Sequence, residues 1–332
     1  MARPRSKHVE NVKRELALRL QQRFYKPGAR FLSARAVAGR FRVSYQTADR
    51  LLCELAAEGL LVRRAASGTY MPGRPAGYTG VELIFKPRAR QPESFGSRLI
   101  EALRVDLERA GIQWRLRFSS RQNLRIDKDW FPVIWESPGA LAACIKAQRD
   151  AVIINDAAPP GLGALYIDSV ATDDFGGGAM AADMLVRRTG KSARLAILSG
   201  PENDRRSQDR VRGFLSRAEA AVTAAPNWYV QGGLKAAENV LLSRPQGVFC
   251  CNDRLAEAVA NWCRRRHIMC PWLVGFDDAP VAVRMGLTTI AIPWARLAGS
   301  VVALVERRVG QDVGAGSRHI LTPHPVVRWS TD

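Results

Sequence analysis

The chain has 332 residues, 47% of them apolar, and a formal net charge of +19. That length suits two or three folding units with a sizeable core. It holds no apolar run of about eighteen residues, which excludes a membrane-spanning helix.

The N-terminus, MARPRSKHVENVKRE, is basic without an apolar stretch, so it does not read as a secretory signal. Six cysteines are present: Cys53, Cys144, Cys250, Cys251, Cys263 and Cys270. None forms a CxxC pair and no histidine cluster lies near them, which argues against zinc. Reduced thiols in a cytoplasm are expected, with no cofactor, no metal and no membrane partner. The first 72 residues hold 15 basic against 5 acidic side chains, a density suited to a polyanion such as nucleic acid. The remainder is only mildly basic, and that excess suggests no function by itself.

Val12, Leu16 and Leu20 open the chain with a helix, which Pro27 and Gly28 end. Ser33 is a candidate N-cap for a short helix, ARAVAGRF, with Val37 and Phe41 inward. Arg42-Val43-Ser44 reads as a tight turn, and Ser44 as the cap of the next helix. In that helix Ala48, Leu51, Leu52 and Leu55 repeat at i, i+3, i+4 and i+7, one buried face. Gly59 is its stop signal. LLVRRAASGTYMP then predicts a two-stranded hairpin with a tip near residues 65–68. Helix, short helix, turn, helix and hairpin make a winged helix-turn-helix, in which the second helix of the pair enters the major groove by its N-terminal end. Met71 to Gly80, rich in Pro and Gly, is the best linker candidate.

From Val81 strands and helices alternate. VELIF is followed by a helix around residues 96–109. WRLRF, AVIIN, ALYID, LAILSG, GVFCCND and WLVGFDD follow as strands. This alternation argues for doubly wound parallel α/β units, and about 250 residues is too many for one small sheet, so two lobes are expected. In open α/β sheets ligands bind beyond the carboxyl ends of strands. Asp168, Asn252 with Asp253, and Asp277 with Asp278 read as such ends. In FGGGAMAADML neither the P-loop nor the GxGxxG spacing is present, so its glycines are read as allowing close packing.

The pieces FLSARAVAGRFRVS, LAAEGLLVRR and SGTYM, in that order, resemble the GntR-type winged helix over residues 10–72. The resemblance implies DNA contacts from Arg35, from Ser44, Tyr45, Gln46 and Thr47, and from the wing. Arg50, Arg63 and Arg64 add positive charge there. The family usually has arginine where this chain has Tyr45, and often where it has Asp49. Asp49 reads either as an acceptor from a cytosine amino group or as a charge turned away from the groove.

The rest of the chain resembles the effector domain of LacI/GalR regulators. The blocks that carry this are VATDDFGGGAMAADMLVRRTG, LAILSGPENDRRSQDRVRGF, VFCCNDRLAEAVANW, WLVGFDDAPVA, LTTIAIPWARLAGSVVALV and LTPHPVVRWST. The implied fold is the two-lobed type I periplasmic-binding-protein fold. Lobe 1 would cover about 81–171 and 294–318, and lobe 2 about 172–292 and 319–332. The implied effector residues are Asp168, Arg210, Trp228, Asn252 and Asp277. Carboxylates accept from hydroxyls, arginine donates in a fork, asparagine does both, and a tryptophan offers an apolar platform. That set suits a sugar. Each member also has a plainer reading: Asp277 as a cap, Arg210 paired with Asp209 or Glu202, Trp228 as core.

The resulting expectation is a regulator that binds operator DNA as a homodimer, through surfaces at 95–109 and 297–308, and is released by a sugar. A purine or other metabolite as ligand, and activation instead of repression, stay open. An aminotransferase-like enzyme fusion is a remote alternative, because only Lys191 and Lys235 follow Lys146. A transporter's solute-binding protein is disfavoured by the DNA-binding head.

Overall fold

The computed structural model describes residues 7–21, 25, 29–58, 60–64, 67–71, 77–147, 149–156, 166–309 and 316–330. The chain divides into two compact units. One comprises Met1–Ala89, Ile100–Ala171 and Ala298–His319, the other Arg90–Leu99, Thr172–Leu297 and Ile320–Asp332. No helix among the described residues is long and apolar enough to cross a membrane.

The N-terminal part of unit 1 holds three helices, α1 (Lys7–Gln21), α2 (Ala34–Phe41) and α3 (Tyr45–Ala57), and a hairpin of β1 (Val62–Arg64) and β2 (Gly68–Tyr70). Its core gathers Val12, Leu16, Val37, Leu51, Leu52 and Leu55, the apolar positions that the helical spacing marked. The Ser33 side chain accepts from Ala36 N, and that of Ser44 from Thr47 N. Caps of this kind stabilise a helix by about 1 kcal/mol each. Between α2 and α3 the backbone turns through Arg42 at φ 51°, in the left-handed region. β1 and β2 pair antiparallel, Val62 opposite Tyr70. Pro27, Gly28, Gly59 and the hairpin tip at 65–66 lie outside the described residues, as do 72–76 of the linker.

The α/β part of unit 1 carries β3 (Gly80–Phe85), β4 (Trp114–Phe118), β5 (Trp130–Trp135), β6 (Ala151–Ile154) and β7 (Ile167–Thr172), with helix α5 (Pro138–Ala147) and most of α4 (Phe95–Arg109), whose residues up to Leu99 belong to unit 2. Together with β13 (Arg318–Leu321) the strands form a sheet in the order β13-β7-β6-β5-β3-β4. Unit 2 contains helices α6 (Asp174–Thr189), α7 (Arg205–Leu215), α8 (Val230–Leu241), α9 (Asp253–Arg265) and α10 (Pro280–Met285). Its strands are β8 (Leu195–Ser199), β9 (Ala221–Ala224), β10 (Gly247–Cys250), β11 (Trp272–Asp277), β12 (Thr288–Ala291) and β14 (His324–Val326). They lie in the order β14-β12-β11-β10-β8-β9, and α11 (Trp294–Val309) follows β12. Central strands such as β6, β8 and β10 are buried at every position. Burial on both faces explains why they read as unbroken apolar runs. β14 departs from the parallel pattern and pairs antiparallel with β12.

The glycines of FGGGAMAADML are packing devices. A Cβ on Gly178 would come within 2.0 Å of the Arg210 carbonyl oxygen, and one on Gly213 within 1.9 Å of the Phe175 carbonyl oxygen. These two positions let α6 and α7 touch backbone to backbone, and that approach places Arg210.

The placement of Asp168 corrects the strand-end reading. The strand starts at Ile167, so Asp168 is its second residue and pairs in register with Val152. Residues 164 and 165 of the ALYID segment lie outside the described residues. The Asp168 side chain is fully buried. It accepts from Arg308 Nε at 2.6 Å, Arg307 Nη2 at 2.8 Å and Ser317 N at 2.7 Å. Burial would raise its pKa, but Arg308 and Ser317 outweigh burial and hold the carboxyl below the ordinary aspartate value. Asp168 is thus saturated by partners inside unit 1, at the amino end of its strand, and is not a free acceptor.

Candidate functional site

In unit 2 the carboxyl ends of β8, β10 and β11 collect a cluster of charged and aromatic side chains. Arg210 is its centre, with a side chain 3% exposed. Its Nε donates to Asp174 Oδ1 at 2.7 Å and its Nη1 to the Cys251 carbonyl at 2.5 Å. Nη2 lies 3.2 Å from Asp277 Oδ1. The guanidinium also sits 3.6 Å from the Phe276 ring centroid. The neighbours Asp209 and Glu202 are not its partners: Asp209 pairs with Arg205 and Arg212.

Asp277 ends β11 at φ 98°, and Asp278 follows at φ 50°. Two consecutive non-glycine residues at positive φ are backbone strain of the kind that collects at functional sites. The Asp277 side chain does not cap α10, whose first backbone N–H groups find no side-chain acceptor at the Ala279 N-cap. Although Arg210 is near, Asp277 Oδ1 accepts no well-aligned hydrogen bond among the described residues. Its main-chain oxygen accepts from Arg98 Nη1 at 3.0 Å. Burial raises the pKa of both Asp174 and Asp277, and the nearby arginines only partly offset it.

Trp228 is half-buried against the core of unit 2, and its ring fills the space that a Cβ on Gly200 would need. Its Nε1 donates to Asp204 Oδ2 at 2.9 Å. Asp204 also caps α7, accepting from Arg206 N at 3.0 Å. Burial opposes ionisation of Asp204, but Arg206 and the Trp228 donor lower its pKa to about 2. Asn252 caps α9: its Oδ1 accepts from Leu255 N at 2.8 Å, and its Nδ2 donates to the Trp228 carbonyl at 3.0 Å. Both functional ends of Asn252 are therefore used in holding the loops together.

Aromatic and cationic groups complete the cluster. The Phe95 and Trp294 rings lie 4.9 Å apart, with Arg98 stacked 4.4 Å from the Trp294 centroid. Arg206 lies 5.4 Å from the Phe95 centroid and 5.8 Å from that of Trp228. Beneath them Asp253 is fixed by Thr289 Oγ1 at 2.6 Å and Ala279 N at 2.6 Å. A Cβ on Gly275 would fall 2.1 Å from Asp253 Oδ1, so only glycine fits there.

Of the five residues predicted to bind an effector, Arg210, Trp228, Asn252 and Asp277 thus meet in unit 2, and Asp168 does not join them. The sequence reading missed Asp174, Asp204, Arg206, Arg98, Phe95 and Trp294. Asp174, Asp204 and Arg206 lie in the LacI-like blocks, but no periodic signal marks them. Phe95 and Arg98 come from a segment nearly 180 residues from Asp277, and no local pattern links them. Arginines 98, 206 and 210 stand among aspartates 174, 204, 253 and 277 around apolar rings, so no cation is left in excess. That balance suits a neutral molecule bearing hydroxyls better than an anion.

In the N-terminal part of unit 1, Arg35, Ser44, Tyr45, Gln46 and Arg50 are exposed and Thr47 is half-buried. The Ser44 and Thr47 hydroxyls are 2.9 Å apart. Arg64 closes β1 opposite Gly68. Arg63 donates from Nη2 to Asp49 Oδ1 at 2.6 Å and from Nη1 to Cys53 Sγ at 2.7 Å. Asp49 is therefore held by the hairpin, and Arg63 is committed to it.

Residues 182–331 match the family described as a periplasmic binding protein-like domain. The chain is 26% identical over 151 residues to the HTH-type transcriptional repressor PurR of Photobacterium profundum, covering 41% of this chain and 45% of that protein. Over 151 residues it is also 26% identical to the ribose operon repressor of Haemophilus influenzae, covering 41% of this chain and 46% of that protein. It spans about half the length of these curated relatives. Among solved structures, the transcriptional regulator CelR–cellobiose complex matches with a TM-score of 0.65 at 18% identity, covering 99% of this chain and 100% of that one. At that identity the likeness is one of fold.

Proposed function

We propose that this protein is a ligand-responsive transcriptional repressor. Its N-terminal segment acts as a GntR-type winged helix-turn-helix on operator DNA. Its α/β part binds a small polyol, a sugar, at the Arg210 cluster, and the working form is a homodimer. The observation that carries the reading is the buried Asp174–Arg210–Asp277 arrangement beside Trp228, with an Asp277 oxygen left without an aligned donor. A sugar hydroxyl supplies that donor, and the aromatic faces take the C–H side of the ring. The sugar-linked relatives and the repressors among the sequence matches support the same reading. A ligand can weaken DNA binding only by its differential affinity for two states, and coupling of about 1–3 kcal/mol gives a 5- to 150-fold effect.

The test is a thermal-shift screen of the whole protein against mono- and disaccharides, followed by operator titration with and without the hit. A true effector at about 100 times its dissociation constant adds about 2.7 kcal/mol of stability. Trp228→Ala is expected to remove the shift and the release while leaving ligand-free DNA binding intact. Normal release by this variant would place the effector elsewhere.

Asp49 gives a second check on the head. Asp49→Ala frees Arg63, and one added phosphate contact steepens the salt dependence of DNA binding by about 0.9 in log–log slope. Gln46→Ala, by contrast, is expected to alter preference among sites. An unchanged slope for Asp49→Ala would mean that Arg63 never reaches the phosphates.

A further inference from the structure

The excess positive charge beyond the head is not spread evenly. Strands β8, β10 and β11 are neighbours, and their first residues stand in one row: Leu195 beside Gly247, and Gly247 beside Trp272. The three segments that lead into this row therefore lie side by side, at the end of the sheet opposite the Arg210 cluster. The first, residues 187–194, is RRTGKSAR. The second, 242–246, is LSRPQ, and the third, 264–271, is RRRHIMCP. Together they carry eight Arg and Lys residues and no Asp or Glu. All eight are exposed.

The segments form one continuous surface. Arg194 N donates to Gln246 Oε1 at 2.9 Å, and Arg194 Nε and Nη2 reach the carbonyls of Ser243 and Arg244. Trp272 N donates to the Gln246 carbonyl at 3.0 Å. Arg188 stacks 4.1 Å from the Trp272 centroid, which ties the first segment to the third. Among the described residues none of the eight forms an ion pair. Elsewhere surface arginines such as Arg104, Arg109 and Arg284 are paired with carboxylates. Helix C-termini favour cations, which accounts for Arg187 and Arg188 on α6 and Arg264 and Arg265 on α9. It does not account for Lys191, Arg194 or Arg244, which lie beyond the helices and their caps.

We infer that this pole of unit 2 is a second polyanion-binding surface, and that its partner is the phosphate backbone of duplex DNA. Seven of its eight cations are arginines, whose planar fork matches phosphate. Arg188 and Arg194 are already oriented by a tryptophan ring and by carbonyls, so less freedom is lost on binding. Its charged groups are cations without paired carboxylates in the same segments, so its contacts are with the phosphate backbone and independent of sequence. A surface that grips DNA outside the operator supplies non-specific affinity.

The experiment uses the full chain and a duplex lacking any operator, with affinity measured by fluorescence anisotropy across a salt series. Removing one arginine–phosphate pairing lowers the log–log salt slope by about 0.9, so Arg264→Ser/Arg265→Ser/Arg266→Ser is expected to flatten it by about 2–3. Arg187→Ser/Lys191→Ser, on the neighbouring segment, is expected to flatten it by about 1–2. The side chains are exposed, so thermal melting of both variants should match the wild type. An Arg35→Ala chain should keep the part of the slope that the triple variant loses, which separates this surface from the head. Slopes unchanged in both multiple variants overturn the inference. So does an unchanged DNA slope together with lost binding to phosphatidylglycerol vesicles, which would assign the surface to a membrane.

Discussion

Arg210→Ala should lower the stability of the protein by about 3–5 kcal/mol at neutral pH, because it strands the buried Asp174 and the largely buried Asp277. Asp174 and Asp277 both face the deleted guanidinium, and the cation–π stacking on Phe276 goes with it. A loss of that size lowers the melting temperature of unit 2 by roughly 6–20 °C. The pH dependence has a definite sign. Both carboxyls already titrate above the ordinary aspartate value, because burial outweighs the arginines. Removing Arg210 pushes them further up. An acid whose folded pKa exceeds its unfolded pKa costs stability above the folded value, and the cost vanishes below the unfolded one. The deficit of the variant should therefore be largest at neutral pH and shrink on acidification to about pH 5. Melting curves of wild type and variant at the two pH values measure it. A deficit that does not change with pH would mean that the carboxyls are not the source.

Asp168→Ala should destabilise by a similar amount, about 3–5 kcal/mol, by leaving Arg308 buried without its main partner. Arg308 is 2% exposed and among the described residues it keeps a contact with Asp150, Nη1 to Oδ1 at 3.3 Å. Here the pH window differs. The folded pKa of Asp168 is depressed, so its contribution is whole above the unfolded value and is lost only as pH falls through the folded one. At about pH 5 the Asp168→Ala deficit should still be complete while that of Arg210→Ala is shrinking. Sugar binding should survive in Asp168→Ala at a temperature where the variant is folded. Loss of sugar affinity without loss of stability would return Asp168 to the effector site.

The sequence alone determined the local elements and the class of the fold. Helical spacing at Ala48, Leu51, Leu52 and Leu55 and the caps Ser33 and Ser44 are local signals, and local physics suffices to read them. Apolar runs such as LAILS and GVFC announced buried parallel strands because both faces of such strands meet helices. The glycines of FGGGAMAADML, Gly178 among them, could be read as packing positions, since no phosphate-loop spacing surrounds them; the matching role of Gly213 came from the fold. What only the tertiary structure decided is which distant groups meet. Asp168 and Asp277 look alike in sequence, each a carboxylate at the end of an apolar run. One lies at the amino end of its strand under Arg308, the other at the carboxyl end beside Arg210, and a shift of a few residues in strand start decides between them. Asp49 and Arg63 meet because the hairpin folds back onto α3, and no spacing in the sequence announces that pair. Phe95 and Arg98 join the Arg210 cluster from far along the chain. The basic pole of unit 2 is spread over three segments that only the strand order brings side by side. Contacts between residues far apart in sequence leave no period to read, so partner, burial and charge at these positions are properties of the fold.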